Sequence, residues 1–202
     1  MTVNRAKELH SKSVTALILA GGAGRRMNGQ DKGLIKWQSK PLIAHIIDRL
    51  PENIEQILIS CNRNINQYQA YANTVSDELA NYQGPLAGIY AALQLITSEQ
   101  VLVLPCDSPN PPKDLLCKLS KQLAIDNADV CYAYDGDRGQ YLFALLKTEL
   151  KTSLGRYLKE GGRSVNQWYQ QLNCTQANFS GQANNFINFN QLSDLPAQQQ
   201  DF

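Results

Sequence analysis

Apolar residues in this chain come in short runs that alternate with amphipathic stretches. Val14 to Ala20 (VTALILA) is almost unbroken and stops at Gly21-Gly22. A strand buried on both faces reads this way, and such strands belong to parallel sheets. Ile54 to Ser60 (IEQILIS) and Val101 to Pro105 (VLVLP) repeat the pattern. Val130 to Tyr134 and Tyr141 to Leu146 are predicted strands around the polar turn DGDRGQ, and the alternation in Phe186 to Asn190 (FINFN) predicts a last one. Between these runs the period lengthens. Pro41 stands at the first turn of a predicted helix reaching about Leu50, with Leu42, Ile43, Ile46, Ile47 and Leu50 on one face. Further helices are predicted near 65–71, 89–96, 113–123, 150–159 and 165–172. Strands alternating with helices imply an α/β layered fold around a mostly parallel sheet. With no repeat, low-complexity linker or composition break, a single three-layer domain over 14–202 is expected, behind a flexible leader at 1–13.

Composition narrows the partners. The 202 residues carry 19 Lys plus Arg against 18 Asp plus Glu, a formal charge of +1. No electrostatic excess points to nucleic acid or an anionic membrane. The five cysteines are odd in number and none is spaced C-x-x-C, which argues against a disulfide framework or zinc knuckle. Two histidines are too few for a histidine-rich metal site. The polar opening MTVNRAKELHSKS lacks a signal peptide's apolar segment, and no window approaches the ~20 apolar residues needed to cross a bilayer. A soluble, cytoplasmic protein is expected.

Ligands of open α/β sheets sit beyond the carboxyl ends of the strands, so the residues after the three apolar runs carry the candidate chemistry. After the first, Gly21, Gly22 and Gly24 remove side chains and let backbone N–H groups approach phosphate oxygens. Arg25, Arg26 and Lys32 add positive charge. On the glycines alone, a tight turn with solvated cations reads equally well. The spacing excludes two familiar phosphate loops. G-x-G-x-x-G lacks its third glycine at Met27, and after Gly24 and Gly29 the Walker pattern meets Gln30-Asp31 instead of Lys-Ser/Thr. Asp107 follows VLVLP at the same edge. It suits Mg²⁺, which takes one or two carboxylates plus substrate phosphates, or alternatively caps the turn before Pro109. Cys106 has no histidine in a motif near it and reads as packing.

The stretch LAGGAGRRMNGQDKGL (Leu19 to Leu34) resembles the loop of the molybdenum cofactor guanylyltransferases, within the nucleotidyltransferases that activate sugars and cofactors; Asn28 replaces one glycine of the pattern. The resemblance extends in order through KPL (Lys40 to Leu42), Asn62-Arg63, GPLAG (Gly84 to Gly88), PCD-x-P (Pro105 to Pro109), DG-x-R (Asp135 to Arg138) and N-x-N (Asn188 to Asn190). It implies a Rossmann-like nucleotidyltransferase sheet that transfers GMP from GTP to molybdopterin, or to its molybdenum-loaded form, with release of pyrophosphate. It also implies that Leu19, Ala20, Gly21, Gly22, Lys32, Asn62, Asp77 and Asp107 contact GTP, that Asp107 holds Mg²⁺, and that Arg26 and Lys32 neutralise the phosphates. The N-terminal half would bind GTP. The C-terminal half would bind the acceptor, with Arg163, Asn188 and Asn190 as candidates and Arg138 and Arg156 also available. Transient contact with other cofactor-assembly proteins would follow. Alternatives are a cytidylyltransferase on the same loop or a catalytically silent nucleotide-binding subunit. Four departures stand out: Ser60 and Ser76 replace a family Asn and Glu, Gln140-Tyr141 replaces His-Pro, and Gln191 replaces Thr.

Overall fold

The computed structural model describes residues 12–21, 31–77 and 84–189. Its centre is a seven-stranded sheet built from β1 (Val14–Leu19), β4 (Gln56–Ser60), β5 (Asn73–Val75), β6 (Gln100–Pro105), β7 (Val130–Tyr134), β8 (Gly139–Lys147) and β9 (Cys174–Asn178), in the order β5-β4-β1-β6-β8-β7-β9. A separate short hairpin pairs β2 (Lys36–Trp37) with β3 (Lys40–Pro41). Four of the six neighbouring pairs in the main sheet are parallel; only β8 runs against its neighbours β6 and β7. The expected mostly parallel α/β sheet is therefore present.

The unbroken apolar runs follow from burial on both faces. Along β6, Leu102 and Leu104 join one core with Ile18 of β1, Ile43 and Ile46 of α1 (Leu42–Ile47), Tyr68 of α2 (Ile65–Gln69) and Leu119 of α4 (Leu115–Ile125). Val101 and Val103 point the other way, with Leu17. They pack against Ile89 of α3 (Pro85–Leu93), Leu154 of α5 (Lys151–Lys159) and Trp168 of α6 (Val165–Tyr169). Helices thus cover both faces, making three layers. Each core leucine contributes about 2 kcal/mol of burial free energy.

Several elements differ from expectation, among them β5 and the β2–β3 hairpin, which were not predicted. The described part of FINFN, Phe186 to Phe189, is no strand: a 3₁₀ turn spans Ala183–Phe186, and the buried Phe186 and Phe189 are three residues apart, with Ile187 half exposed between them. Among the described residues the last strand is instead Cys174–Asn178, an edge strand paired with β7, whose half-polar sequence hid it. The helix expected near 89–96 begins earlier, at Pro85 inside GPLAG, where proline suits the first helical position and Gly84 takes φ 115°. Most of the predicted leader lies outside the described residues.

Candidate active site

The three apolar strands end together, and their ends are laced one residue further than the ladder. Ala20 N–H donates to the Ser60 carbonyl at 2.8 Å and Cys106 N–H to the Leu19 carbonyl at 3.0 Å. Close packing supports the lacing: Gly88 of α3 sits against Ser60, where an added Cβ would stand 2.4 Å from the Ser60 hydroxyl. Beyond these ends lies a cavity of about 650 Å³. Leu19, Ala20, Gly21, Asp31 and Lys32 line it after β1, Pro105 to Asp107 line it at the end of β6, and Gly84-Pro85 and Asn188 join them. The rest of the lining comes from Arg138 to Phe143, across β6 from β1 in the strand order, and from Ser164 to Asn166 at the start of α6.

Lys32 and Asp107, 75 residues apart, meet in this cavity: Lys32 Nζ donates to Asp107 Oδ2 at 3.1 Å. Both side chains are about a quarter exposed or less, at 27% and 19%. Asp107 is fixed from behind, since its carbonyl accepts the Phe189 N–H at 2.8 Å. The neighbouring Ser108 hydroxyl donates to Asn188 Oδ1 at 2.6 Å, and Asn188 lines the cavity. Lys32 opens a 3₁₀ turn, Lys32–Leu34, preceded by the buried Asp31, whose carboxylate accepts the Tyr68 hydroxyl and the Asn64 amide. Cys106 is buried, and burial together with Asp107 and Asp31 pushes its thiol up despite the opposing Lys32 charge. It is held protonated there, a packing group and not a nucleophile.

The structure brings together Leu19, Ala20, Gly21, Lys32, Asp107 and Asn188. Gly22, Arg26 and Asn190 lie outside the described residues. Asn62 and Asp77 stand at the ends of β4 and β5, away from the cavity wall, and clasp each other: Asn62 Nδ2 donates to Asp77 Oδ1 at 2.5 Å and Asp77 N–H to Asn62 Oδ1 at 3.0 Å. Arg163 does not line the cavity; its guanidinium donates to the Leu158 and Gly162 carbonyls. Of the three arginines considered for the acceptor side, Arg138 is the one in the wall. His45 packs on Trp37, with Nε2 2.8 Å from its carbonyl.

Sequence reasoning missed Asp31, Gln140, Tyr141 and Ser164 to Asn166 as wall residues. The signal for two of them was present in the turn DGDRGQ. Because β8 runs antiparallel to β6, its first residues fall at the edge where β6 ends. Asp135 shapes that turn, accepting the N–H groups of Asp137 and Arg138, each at 2.8 Å, and the Gln140 amide at 2.6 Å. Burial pushes its carboxyl up, but the donors from Arg138, Gln140 and Asp137 and the Arg138 charge outweigh burial and hold it below the usual carboxylate range.

A mostly parallel sheet that brings Gly21, Lys32 and Asp107 together at its carboxyl edge accords with a nucleotidyltransferase, the class to which the chain's relatives assign it. The model of the MobA-like NTP transferase domain matches residues 16–175. Molybdenum cofactor guanylyltransferase of Shewanella sediminis is 44% identical over 181 residues, covering 89% of this chain and 92% of that one. The protein of the same name from Mannheimia succiniciproducens is 44% identical, with 91% and 97% covered. Among solved structures, molybdopterin-guanine dinucleotide biosynthesis protein A from Archaeoglobus fulgidus superposes with a TM-score of 0.72 at 24% identity, covering 90% of this chain and 94% of that one. The chain belongs to the MobA-like NTP transferase family and, within it, groups with the molybdenum cofactor guanylyltransferases.

Proposed function

We propose that the protein transfers GMP from GTP to molybdopterin, making the guanine dinucleotide form of the molybdenum cofactor and releasing pyrophosphate. The observation that carries this reading, beside the family, is the Lys32–Asp107 pair at 3.1 Å within the cavity beyond β1 and β6. Transfer is an in-line displacement. An oxygen of the acceptor's phosphate bonds to the α-phosphorus as the α–β bridging bond breaks, and the electron pair leaves with pyrophosphate. Catalysis of such a step is mostly placement and charge stabilisation. Leu19, Ala20, Gly21 and Gly22 present backbone to the nucleotide. Arg26 and Lys32 meet the charge that gathers on the non-bridging and departing oxygens. Asn62 and Asp77 serve the guanosine end, where a carboxylate suits the N1–H and N2–H₂ donors of guanine.

Asp107 would hold Mg²⁺. Among the described residues no three His, Cys, Asp or Glu side chains cluster to hold a metal by themselves, so phosphate oxygens would complete the shell. That is the mode Mg²⁺ favours. The Asn188 amide, whose Oδ1 accepts the Ser108 hydroxyl at 2.6 Å, is a further oxygen donor in the cavity, and Asn190, outside the described residues, is the candidate the family pattern adds. When bound, the ion supplies positive charge to the triphosphate. The acceptor occupies the side walled by Arg138, Gln140, Tyr141 and Asn166, so the N-terminal half of a single domain handles GTP and the C-terminal half the acceptor, with Arg163 at its margin. The enzyme would work in the cytoplasm on these two small molecules, in transient contact with other cofactor-assembly proteins. Among the described residues no helix is long and apolar enough to cross a membrane.

The test is incubation of purified protein with molybdopterin, Mg²⁺ and GTP or CTP, with pyrophosphate release measured. GTP should be the better substrate, and Lys32→Ala and Asp107→Ala should each abolish release without unfolding the protein. Equal or greater use of CTP would overturn guanine specificity; unimpaired release by either variant would overturn the mechanism.

A further inference from the structure

A tyrosine outside the cavity lining bonds to the residue that precedes the cavity's lysine. Tyr68 of α2 is fully buried, and its hydroxyl donates to Asp31 Oδ1 across 37 residues of sequence. The other carboxylate oxygen accepts Asn64 Nδ2 at 3.3 Å, and Asn64 is the residue that opens α2, with φ 51°. One helix end therefore grips both oxygens of a carboxylate that is only 8% exposed. Asp31 in turn anchors the main chain that carries Lys32. Its carbonyl accepts the Leu34 N–H at 3.1 Å, and the Lys32 carbonyl accepts the Ile35 N–H at 3.1 Å, closing the 3₁₀ turn. Gly33 completes the fit: a Cβ there would lie 2.6 Å from the Tyr68 hydroxyl oxygen, so only glycine lets the turn rest on the ring.

Burial leads the causes that push the Tyr68 phenol far above its ordinary value, followed by the Cys106 sulfur and by its hydrogen bond to the Asp31 carboxylate and that group's charge. It therefore remains a donor throughout the working range. A hydrogen bond to a charged acceptor is among the stronger ones available to a protein, and the long Lys32 side chain loses considerable entropy when its ammonium is held at one spot. Fixing its Cα is what makes that placement reproducible. We infer that Tyr68 is a positioning residue for nucleotide binding, acting through Asp31 to set Lys32 against the phosphates. The inference builds on the proposed GTP site.

The test compares affinities for GTP and GMP by calorimetry in wild type, Tyr68→Phe, Lys32→Ala and the double variant. Phenylalanine keeps the ring and removes only the donor. Tyr68→Phe should weaken GTP on the order of tenfold, leave GMP within about twofold, and add nothing once Lys32 is alanine. Asp31→Asn, which still accepts the tyrosine proton, should retain most of the affinity, while Asp31→Ala should match Tyr68→Phe. If Tyr68→Phe does not fold, Asp31→Ala carries the same comparisons. Equal losses for GTP and GMP, undiminished GTP affinity, or a full further loss in the Lys32→Ala background would each overturn the inference. If Lys32→Ala itself binds GTP normally, the proposed triphosphate site falls instead.

Discussion

Lys32 and Asp107 face opposite partners in the proposed reaction, a phosphate and a divalent ion, yet in the structure they hold each other. Lys32→Met, which keeps most of the length and removes the charge, should therefore raise the affinity of Asp107 for a metal ion when no nucleotide is present. At 3.1 Å, and with an effective dielectric near 20, the gross attraction of the pair is about 5 kcal/mol. Most of that is offset by the hydration each group keeps and by salt, since the side chains are 27% and 19% exposed. Exposed pairs net up to ~1 kcal/mol, and hydrogen bonds to charged groups about 1.5–3 kcal/mol. A net hold of about 1–2 kcal/mol is the reasonable figure, equivalent to about 5- to 30-fold in metal affinity. Mn²⁺, which can be followed by electron paramagnetic resonance as a stand-in for Mg²⁺, should bind the Lys32→Met protein tighter by that factor. Asp107→Asn should lose the site, and GTP should bind Lys32→Met more weakly than wild type. Mn²⁺ affinity unchanged by Lys32→Met, while Asp107→Asn abolishes binding, would refute the competition. It would mean that lysine and metal address the carboxylate without mutual exclusion.

Two other predictions concern the frame around the site. Gly88→Ala would set a methyl 2.4 Å from the Ser60 hydroxyl and 3.2 Å from its Cβ, at a cost of about 1–3 kcal/mol; Ser60→Ala should recover part of it, and thermal melting of the four proteins of that cycle reads the coupling. Three buried thiols, Cys61, Cys106 and Cys131, make the fold alkali-sensitive. Burial and the Asp31 charge push Cys61 up to about 11, while burial leads the causes that raise Cys131 to about 12, against 9.0 for an unburied thiol. Above pH 9 the unfolded chain has lost protons that the folded one retains, so stability falls as pH rises through this window, by about 2 kcal/mol per thiol at about pH 10.5. Urea unfolding of wild type and Cys61→Ala at pH 8 and about pH 10.5 should show the slope reduced in the variant, and equal slopes would count against it.

How much of this was legible in the sequence depended on how local the cause was. β1, β4 and β6 are buried on both faces, so their composition alone announces them. β5 is three residues long, and β9 is a half-polar edge strand, so neither carries a period that survives competition from neighbouring turns. The Lys32–Asp107 meeting was legible despite a separation of 75 residues, because a topological rule places every parallel strand's carboxyl end at one edge. No comparable rule reaches the far wall. Gln140 and Tyr141 enter the cavity because β8 is antiparallel, and Ser164 to Asn166 because α6 happens to begin there. The Tyr68–Asp31 contact was invisible for a different reason: each residue has an ordinary local role, one on an apolar helix face and one in a polar loop.

That division bears on how specificity is built. The parallel half of the sheet supplies a backbone edge common to nucleotide-binding α/β proteins, with the cation and carboxylate added at strand ends. The antiparallel strand β8 gives the cleft two unlike sides, because its start brings Arg138 to Phe143 into the same cavity as Gly21 and Lys32, across β6 from β1. Asp135 makes that wall rigid through three donors on one carboxylate. The chain also departs from its family pattern in this wall, at Gln140-Tyr141. Tyr141 is braced there by Tyr132, with ring centroids 4.9 Å apart, and by the Tyr169 hydroxyl donating to its carbonyl at 3.1 Å. A wall braced this way has little freedom to move aside. Substitutions at Tyr141 should therefore register in the acceptor's KM and leave that of GTP nearly unchanged.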